Sequence, residues 1–486
     1  MDASMSCHRG ILISKQLLFL LLRMEQLQFK LLSSLKLVKK YEWLLDFYML
    51  DFYIEDHWKK LPDVWQDHLQ NLSLEELGEV VGNENECNSV KKIWPLEFLA
   101  LRQLVKNLSI NRRTVDRVFP QNNMSCPLLD HRKLKHIFRK CVKPKKYHEI
   151  TRMAEVCAKS YQKMSVDFVV DFGAGVGHLA RILGYGYGIQ VCCLEMQDKL
   201  NQQAIAIDHK LETMANKFLE DTEIAHFKQP KHVTQCLTSR TTPTEFLQSL
   251  RQALNLNTDN FRFGIIGLHP CGDLGPTLMR MFLACKQAKF LNFVSCCYQK
   301  MTTKTLNSQT NLPGYPLSKF LHGQDDFQLS YEAREVSCHA NEVYFDRLTT
   351  GQHEYLKIHS LRAAAERLIL EEFPLLRHCA LRNVKHQPGM TFDEYFRQAV
   401  KGTRFETLDQ QIWTDKQKLQ TQEDLKNWRR IVCLFTLRLL LAPLVESIIL
   451  YDRVLFLMEH DCEVHIEAIF DPRLSPRNHI TSAIKS

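Results

Sequence analysis

The pattern of apolar and polar positions divides the chain into two kinds of region. Before about residue 120, apolar residues recur at helical spacing, as in the stripe from Leu27 to Val38. From Val166 onward, short apolar runs alternate with helical stretches, which is typical of βαβ units around a parallel sheet. From Met301 to about Leu457 this alternation stops and helices are again favoured. The pattern therefore predicts an α/β core flanked by helical segments.

The α/β core is predicted to contain five strands, at Val166–Asp171, Gln190–Glu195, His232–Cys236, Phe263–His269 and Phe290–Ser295. Two further strands, Glu463–Phe470 and Asn478–Ile484, surround a turn that contains Pro472 and Pro476, and they are expected to pair antiparallel. We therefore predict a Rossmann-like α/β sheet in which a large helical insertion separates the fifth strand from the final antiparallel pair.

These changes of pattern define five segments. Residues 1–23 form an N-terminal extension of uncertain role, and Met24, where the patterned chain begins, is a candidate start. The other segments are 24–143, an N-terminal helical region; 144–300, the Rossmann-like cofactor-binding core; 301–460, the helical insertion; and 461–486, the strand pair that completes the sheet.

No segment is predicted to cross a membrane. The apolar run Ile11–Leu22 is shorter than the roughly 20 residues that a spanning helix needs. The strongly apolar stretch Ile431–Leu457 is interrupted by charged residues such as Arg438, Asp452 and Arg453. This stretch therefore favours a pair of buried helices.

Composition indicates the cellular compartment to expect and where positive charge is concentrated. The 486 residues are 45% hydrophobic and carry a net charge of +8, which fits a globular protein that tolerates an anionic partner. The 16 cysteines lack the spacing of a disulfide scaffold, so a reducing, intracellular location, cytoplasmic or nuclear, is expected. Lysines and arginines are dense between residues 131 and 148, where they either bind phosphates, such as those of an RNA, or form a solvated helix face.

A glycine-rich turn follows the first predicted strand. After Asp171, glycines occupy alternate positions, at Gly173, Gly175 and Gly177, before a predicted helix. Backbone N–H groups in such a turn face a nucleotide-like ligand. The third glycine comes one place earlier than in the G-x-G-x-x-G fingerprint of dinucleotide sites, and this spacing is typical of S-adenosylmethionine (SAM) methyltransferases. It disfavours a nicotinamide-dependent dehydrogenase, while a glycine-rich turn in an unrelated α/β domain stays open as the alternative.

The end of the second predicted strand offers an acid to the same ligand. Glu195 lies about twenty residues after the glycines, where a carboxylate can accept hydrogen bonds from both ribose hydroxyls of a cofactor. The next residue, Met196, can pack on an adenine ring. The alternative is that Glu195 is an ordinary surface acid.

The ends of the fourth and fifth predicted strands supply further reactive side chains. His269 and Cys271 follow the fourth strand, and Cys296, Cys297 and Tyr298 follow the fifth. They could line an acceptor pocket in which Tyr298 stacks on a planar group, bind zinc through thiolates, or pack as ordinary core residues. Their spacings differ from the Cys-x₂-Cys pairs of structural zinc sites, so no metal site is predicted.

Four motifs together resemble one protein family. They are Asp171–Leu179 (DFGAGVGHL), Gly267–Leu274 (GLHPCGDL), Ser295–Lys300 (SCCYQK) and Gly314–Ser318 (GYPLS). This set is similar to the methyltransferase-like protein twenty-five family, which includes the protein named for a ribosomal RNA adenine dimethylase domain. The likeness extends to Trp43–Asp46, Pro144–Glu149, Leu441–Glu446 and Leu474–Asn478, and covers nearly all of the chain after about residue 24.

The resemblance implies a class I, Rossmann-like methyltransferase that uses SAM as its cofactor. On this interpretation the three glycines admit the methionine part of SAM, Asp171 braces the turn or meets the amino group, and Glu195 holds the ribose. The further residues expected at the cofactor are Lys146, Ala174, His178, Met196 and His269. The residues expected to shape the acceptor pocket, as catalytic candidates, are His269, Cys296 and Tyr298.

The acceptor is expected to be RNA. The strand-end motifs are similar to those of a tRNA 2′-O-methyltransferase family, which supports RNA by analogy. Adenine dimethylases carry Asn-x-x-Tyr or Asn-Pro-Pro-Phe after the fourth strand, whereas this chain has His269-Pro270-Cys271-Gly272, which disfavours adenine N6 dimethylation. A protein acceptor and a catalytically silent SAM-binding scaffold are the alternatives. The sequence makes no prediction of the oligomeric state.

Overall fold

The structure, a computed structural model, describes residues 3–82, 93–114, 131–140, 142–304, 312–378, 381–410 and 413–485. The chain forms two compact units. The sheet unit combines Met1–Leu35, Ile110–Leu329 and Glu446–Ser486, and the helical unit combines Lys36–Ser109 with Ser330–Val445. The unit boundaries therefore cut across the predicted segments 24–143 and 301–460.

The described strands all lie in the sheet unit. They are β1 Phe168–Phe172, β2 Val191–Glu195, β3 Lys231–Thr234, β4 Phe263–Cys271, β5 Ala288–Cys296, β6 Cys462–Ala468 and β7 His479–Lys485. They form one sheet in the order β3-β2-β1-β4-β5-β7-β6, in which β7 runs antiparallel to β5 and β6 while the other pairs are parallel. This arrangement confirms the predicted Rossmann-like α/β sheet that ends in an antiparallel pair.

The α-helices of the described residues are numbered in chain order. They are α1 Ala3–Lys40, α2 Glu42–Asp46, α3 Asp63–Gln70, α4 Leu74–Gly78, α5 Leu96–Leu108, α6 Arg132–Lys140, α7 Pro144–Met164, α8 His178–Arg181, α9 Asp198–Phe218, α10 Asp221–Ile224, α11 Pro243–Leu254, α12 Leu274–Ala284, α13 Lys319–His322, α14 Tyr331–Val336, α15 Asn341–Thr349, α16 Ile358–Glu372, α17 Phe392–Val400, α18 Asp415–Lys426, α19 Trp428–Leu440 and α20 Ala442–Met458. Single 3₁₀ turns lie at Met49–Asp51, His57–Lys60, Tyr298–Lys300, Gln352–Lys357 and Glu406–Gln410.

Two local predictions differ from the structure. The predicted segment boundary at residue 24 falls inside α1, so the chain continues as one helix from Ala3 across it. The repeat Gly184–Gly188 is predicted as a loop, but Ile182–Gly186 continues α8 as a π-helical turn. Gly184 fits there because a Cβ atom would collide with the Lys228 carbonyl.

β1 is a central strand because its sequence suits burial on both faces of the sheet. Phe168, Val169, Val170 and Phe172 are at most 2% exposed, as expected for a parallel strand covered on both sides. Successive side chains alternate between faces. Val169 accordingly joins the hydrophobic cluster that contains residues of α7, and Val170 joins the cluster that contains residues of α11 and α12. The helices packed on both faces hold the sheet in place, and with it the edge at which β1, β2, β4 and β5 end.

One helical stretch in the described part of the chain, Trp428–Met458, is long and apolar enough to cross a membrane. In its most apolar window 89% of the residues are buried within the protein, as in the core helix of a folded domain. It consists of α19 and α20, which join at Leu441. The structure thus has the predicted pair of buried helices.

Candidate active site at the carboxyl ends of the central strands

The glycine-rich turn after β1 has the backbone conformation that its sequence predicts. Gly173, Gly175 and Gly177 have φ angles of 71°, 57° and 74°, in the left-handed region that favours glycine. A Cβ atom on Gly175 would meet no atom within 4 Å, so the space beside this residue is open. The N–H group of Gly173 donates to the carbonyl of Leu194 over 2.8 Å, which ties the turn to the end of β2.

A cavity of about 100 Å³ lies beside the turn. The predicted cofactor residues that line it are Lys146, Asp171, Gly173, Ala174, Gly175 and His178. Apolar side chains, among them Ile150 and Leu268, complete the lining. Typical ligand pockets have volumes of roughly 300–1,000 Å³, so this cavity accommodates only part of a nucleotide-sized ligand.

Glu195 ends β2 beside the cavity, and both of its carboxylate oxygens accept backbone hydrogen bonds. Oε2 accepts from the N–H group of Gly175 and Oε1 from that of Gln197, each over 3.0 Å. Each oxygen keeps a further lone pair, so a ribose hydroxyl can still donate to this carboxylate. The next residue, Met196, is 61% exposed, and its packing on an adenine ring stays a prediction.

Electrostatic conditions in the cavity favour a ligand with a positive group. Burial raises the pKa of Asp171 from 3.8 to about 7, with the charge of Lys146 acting against this rise and that of Glu195 adding to it. Burial and the charges of Arg181 and Lys146 lower the pKa of His178 to about 4. Near neutral pH the cavity therefore contains a neutral imidazole and a carboxyl group that ionises readily when a cation approaches.

A buried ion-pair network that the sequence analysis did not identify packs against the turn. Arg181 of α8 donates from Nε to Oδ1 of Asp208 in α9 over 2.5 Å, and Nε2 of His232 in β3 lies 2.7 Å from Oδ2. Arg181 also donates to the carbonyl of Ala204 over 2.8 Å. A Cβ atom on Gly177 would lie 2.9 Å from the His232 ring. The network thus fixes the position of the third glycine, which lies outside the cavity lining.

His269, at the carboxyl end of β4, is oriented by an acid that the sequence analysis also missed. Its Nε2 lies 3.0 Å from Oε1 of Glu149 in α7, and the hydroxyl of Ser475 donates to the same oxygen over 2.7 Å. Burial raises the pKa of Glu149, but hydrogen bonds from His269 and Ser475 and the charge of Lys145 outweigh it and lower the pKa to about 2. Glu149 is therefore ionised, and the Nε2 of His269 that faces it carries a proton.

The predicted cysteines come together where β4 and β5 end. Cys271 pairs with Cys296 across the two strands, and their Sγ atoms are 3.1 Å apart. The Sγ of Cys297 lies 3.5 Å from that of Cys271. His269 and Cys297 have φ angles of 67° and 50°, which for residues other than glycine store about 1–3 kcal/mol of strain and cluster at functional sites.

Tyr298 lies in the interior, which corrects its predicted stacking role. Its side chain is 2% exposed, and its hydroxyl donates to Oε1 of Glu446 over 3.1 Å. The guanidinium of Arg453 lies 5.5 Å from the ring centroid. The left-handed Cys297 turns the chain inward before Tyr298 starts a 3₁₀ turn. Because the ring is enclosed, it is not exposed to an incoming base. Tyr298 instead packs in the interior at the end of β5.

The basic segment 131–148 forms α6 and the first turns of α7, while residue 141 lies outside the described residues. Arg132, Lys133 and Arg139 are exposed, whereas Phe138 on the same helix is buried. The ring of Phe138 contacts that of His178, with centroids 6.1 Å apart. The helix that carries these exposed cations therefore contacts a residue that lines the cavity.

The helical unit has a larger, open cavity of about 520 Å³. It is lined by Val64, Asp67, His68, Asn71, Leu72, Ile93, Trp94 and Pro95. Its lining contains no residue predicted from the motifs and no glycine-rich turn. Size alone therefore does not make it the candidate active site.

Comparison with known proteins points to the same part of the chain. Residues 145–304 match a family model described as a methyltransferase domain. This range contains the glycine-rich turn, Glu195 and the ends of β4 and β5. This part of the chain is therefore similar to a methyltransferase domain.

Two curated proteins are similar to this chain. The protein named probable methyltransferase-like protein 25 from Mus musculus is 26% identical over 230 residues, which cover 46% of this chain and 37% of that protein. The protein of the same name from Homo sapiens is 25% identical over 228 residues, with coverages of 46% and 36%. The chain thus spans little more than a third of the length of the curated relatives it matches. These matches confirm the family resemblance predicted from the motifs.

Among solved structures, the methyltransferase domain of bacterial-CtHen1-CN matches at a TM-score of 0.20 and 10% identity, over 29% of this chain and 64% of that one. A score this low carries no argument about the fold. The fold assignment rests on the strand order and on the family model.

Proposed function

We propose that this chain, whose methyltransferase domain resembles the methyltransferase-like protein 25 family, transfers the methyl group of SAM to an RNA acceptor. The observation that carries the proposal is the cavity at the glycine-rich turn, where Asp171, Lys146 and Gly175 meet beside Glu195. In an open parallel sheet, ligands bind at the carboxyl ends of the strands. A domain for methyl transfer requires a methyl donor at that position, and SAM fits the groups present.

The cavity offers a separate partner to each polar group of SAM. The carboxyl group of Asp171 suits the ammonium group, Lys146 suits the carboxylate, and Glu195 suits the ribose hydroxyls. When bound, SAM supplies an electrophilic methyl group on its sulfonium. The raised pKa of Asp171 fits this role, because an arriving cation favours the ionised carboxylate.

His269 is the proposed proton acceptor for the methylated group. Glu149 engages its Nε2, and within the described residues the buried Nδ1 of His269 makes no hydrogen bond. Nδ1 is therefore the nitrogen of this ring left to take a proton from the acceptor, a contribution of about 10²–10⁴ in rate for a well-placed base. Cys296 and Tyr298 shape this end of the site from within, since both are at most 5% exposed.

Replacing Glu195 with glutamine is expected to weaken SAM binding about tenfold or more. The change removes the charge and one acceptor oxygen, and hydrogen bonds to charged groups contribute about 1.5–3 kcal/mol. Isothermal titration calorimetry of the full chain with SAM measures the effect. Glu25→Gln removes the same charge at an exposed position of the sheet unit and should leave the affinity unchanged. An unchanged affinity in Glu195→Gln would show that the carboxylate does not hold the cofactor.

RNA as the acceptor is supported by exposed cations on α6 and just before α7. Arg132 in α6 and Lys143 before α7 are both exposed, and α6 contacts the cavity-lining His178 through Phe138. Cations arranged in this way neutralise phosphates and release counterions, which makes binding depend on salt.

The variant Arg132→Glu/Lys143→Glu is expected to bind RNA more weakly and to lower the salt slope by about 2, one for each phosphate contact removed. Fluorescence anisotropy with labelled total RNA over a series of salt concentrations measures the slope. The control Lys228→Glu/Lys286→Glu changes the same charge at exposed positions and should keep the parental slope. Equal slopes in both variants would contradict an RNA path along α6.

Mass spectrometry of methylated nucleosides and peptides, from cells with and without this protein, identifies the acceptor. Loss of a methylated nucleoside supports the proposal. Loss of a methylated peptide alone assigns the protein as a protein methyltransferase. If SAM binds in the calorimeter but neither class of product changes, the chain is a silent SAM-binding scaffold.

A further inference from the structure

The cysteines at the ends of β4 and β5 form a cluster that methyl transfer does not itself require. The Sγ atoms of Cys271, Cys296 and Cys297 all lie within 4.8 Å of one another. Transfer from a sulfonium depends on positioning rather than on a cysteine nucleophile. We propose that these three cysteines bind one Zn²⁺ ion, and that its fourth coordination position is open to water or to a donor atom of the acceptor.

The distances within the cluster suit this ion. Tetrahedral Zn²⁺ with Zn–S bonds of about 2.3 Å places its sulfur ligands about 3.8 Å apart. The Sγ of Cys271 lies 3.1 Å from that of Cys296 and 3.5 Å from that of Cys297. Shifts of less than about 1 Å, within reach of side-chain torsions, therefore convert the cluster into a coordination shell.

Two irregularities of the backbone bring these side chains together. The pairing of β4 with β5 changes register between Leu268 and Cys271, and Cys271 then lies opposite Cys296. Successive residues of a regular strand point to opposite faces of the sheet. Cys297 escapes this alternation because its φ of 50° is left-handed. The strained conformation of Cys297 therefore brings its sulfur atom next to those of Cys271 and Cys296.

Thiolates are the form of cysteine that binds metals. The positive charge of Lys300 lies close enough to act on Cys271. Three thiolates around Zn²⁺ leave one net negative charge, which the ammonium group of Lys300 offsets.

A disulfide explains the cluster less well. A disulfide has an S–S distance of about 2.05 Å, whereas the Sγ atoms of Cys271 and Cys296 are 3.1 Å apart. Pairing two of the cysteines would also leave the third without a function. Within the described residues no fourth His, Cys, Asp or Glu side chain joins the group. Since Cys271 is exposed, solvent or an acceptor can reach the remaining position.

The test is the zinc content of the full chain, measured by inductively coupled plasma mass spectrometry after purification without chelator. We expect about one Zn²⁺ per chain, and a loss of about tenfold or more in Cys271→Ser and Cys297→Ser. Cys271→His should retain the ion, because imidazole is also a zinc ligand. Co²⁺ introduced in place of Zn²⁺ should give the sulfur-to-metal charge-transfer band and the visible spectrum of tetrahedral coordination.

Cys236→Ser is the matched control, since Cys236 is an exposed, free cysteine of the same unit outside the cluster. It should keep the full zinc content, and thermal unfolding should show that Cys271→Ser remains folded. The proposal is overturned if the parental chain binds no zinc after reconstitution, if Cys271→Ser binds as much as the parent, or if mass spectrometry finds a disulfide within the cluster. These measurements use neither SAM nor an acceptor, so their outcome is independent of the proposed methyl transfer.

Discussion

Replacing Asp208 with alanine is expected to destabilise the sheet unit by about 3–5 kcal/mol, because breaking one partner of a buried ion pair leaves the other charge uncompensated. Asp208 is 1% exposed and holds both Arg181 and His232. The guanidinium of Arg181 is fully buried, so water cannot replace the lost carboxylate. The variant should also lose affinity for SAM, since the same network packs against Gly177.

Urea unfolding measures the loss of stability. Hydrogen exchange of peptides that cover β1 and β2 shows whether this loss lies in the sheet unit. Arg181→Met/Asp208→Leu should recover much of the stability, because apolar side chains of similar size leave no buried charge. Glu423→Gln breaks an exposed pair with Lys426 and should change the free energy of unfolding by less than about 1 kcal/mol. An equally small effect of Asp208→Ala would show that the network does not support the turn.

The sequence predicts the central strands well because the buried residues of each strand are consecutive in the chain. β1, β2 and β5 are mostly apolar and almost wholly buried, since helices cover both faces of a parallel sheet. The edge strand β3 is only partly buried, so its pattern is weak, and it ends two residues before the predicted Cys236. The helical segments were also predicted, but their grouping into units depends on contacts between distant parts of the chain and leaves no local pattern.

The residues of the candidate site also divide into those that the sequence predicts and those that it does not. Asp171 and the three glycines are local features, and their spacing predicts both the turn and the edge of the sheet where it lies. Glu149 and Asp208 act through partners on other elements, 27 residues away in the case of Asp208 and Arg181, and no spacing rule connects them. The burial of Tyr298 follows the left-handed conformation of Cys297, which the sequence does not mark with a glycine.

Replacing Asp171 with asparagine is expected to stabilise the unliganded protein at pH 8 while weakening its binding of SAM. Burial raises the pKa of Asp171 from 3.8 to about 7. In the unfolded chain the carboxyl group loses its proton near pH 4, whereas in the folded chain it keeps the proton up to about pH 7. Between these values the folded state binds more protons, so the stability that this group contributes falls as the pH rises.

A pKa difference of about three units corresponds to roughly 4 kcal/mol, at 1.36 kcal/mol per unit. Asp171→Asn removes this titration, so the gain in stability over the parent should rise from about 1 kcal/mol at pH 4.5 to roughly 4 kcal/mol at pH 8. Urea unfolding at the two pH values measures the gain. Asp326→Asn, at an exposed position, should change stability by less than about 0.5 kcal/mol at either pH. If Asp171→Asn gives the same difference from the parent at both pH values, the carboxyl group does not titrate as proposed, and its pairing with the cofactor's ammonium loses its electrostatic basis.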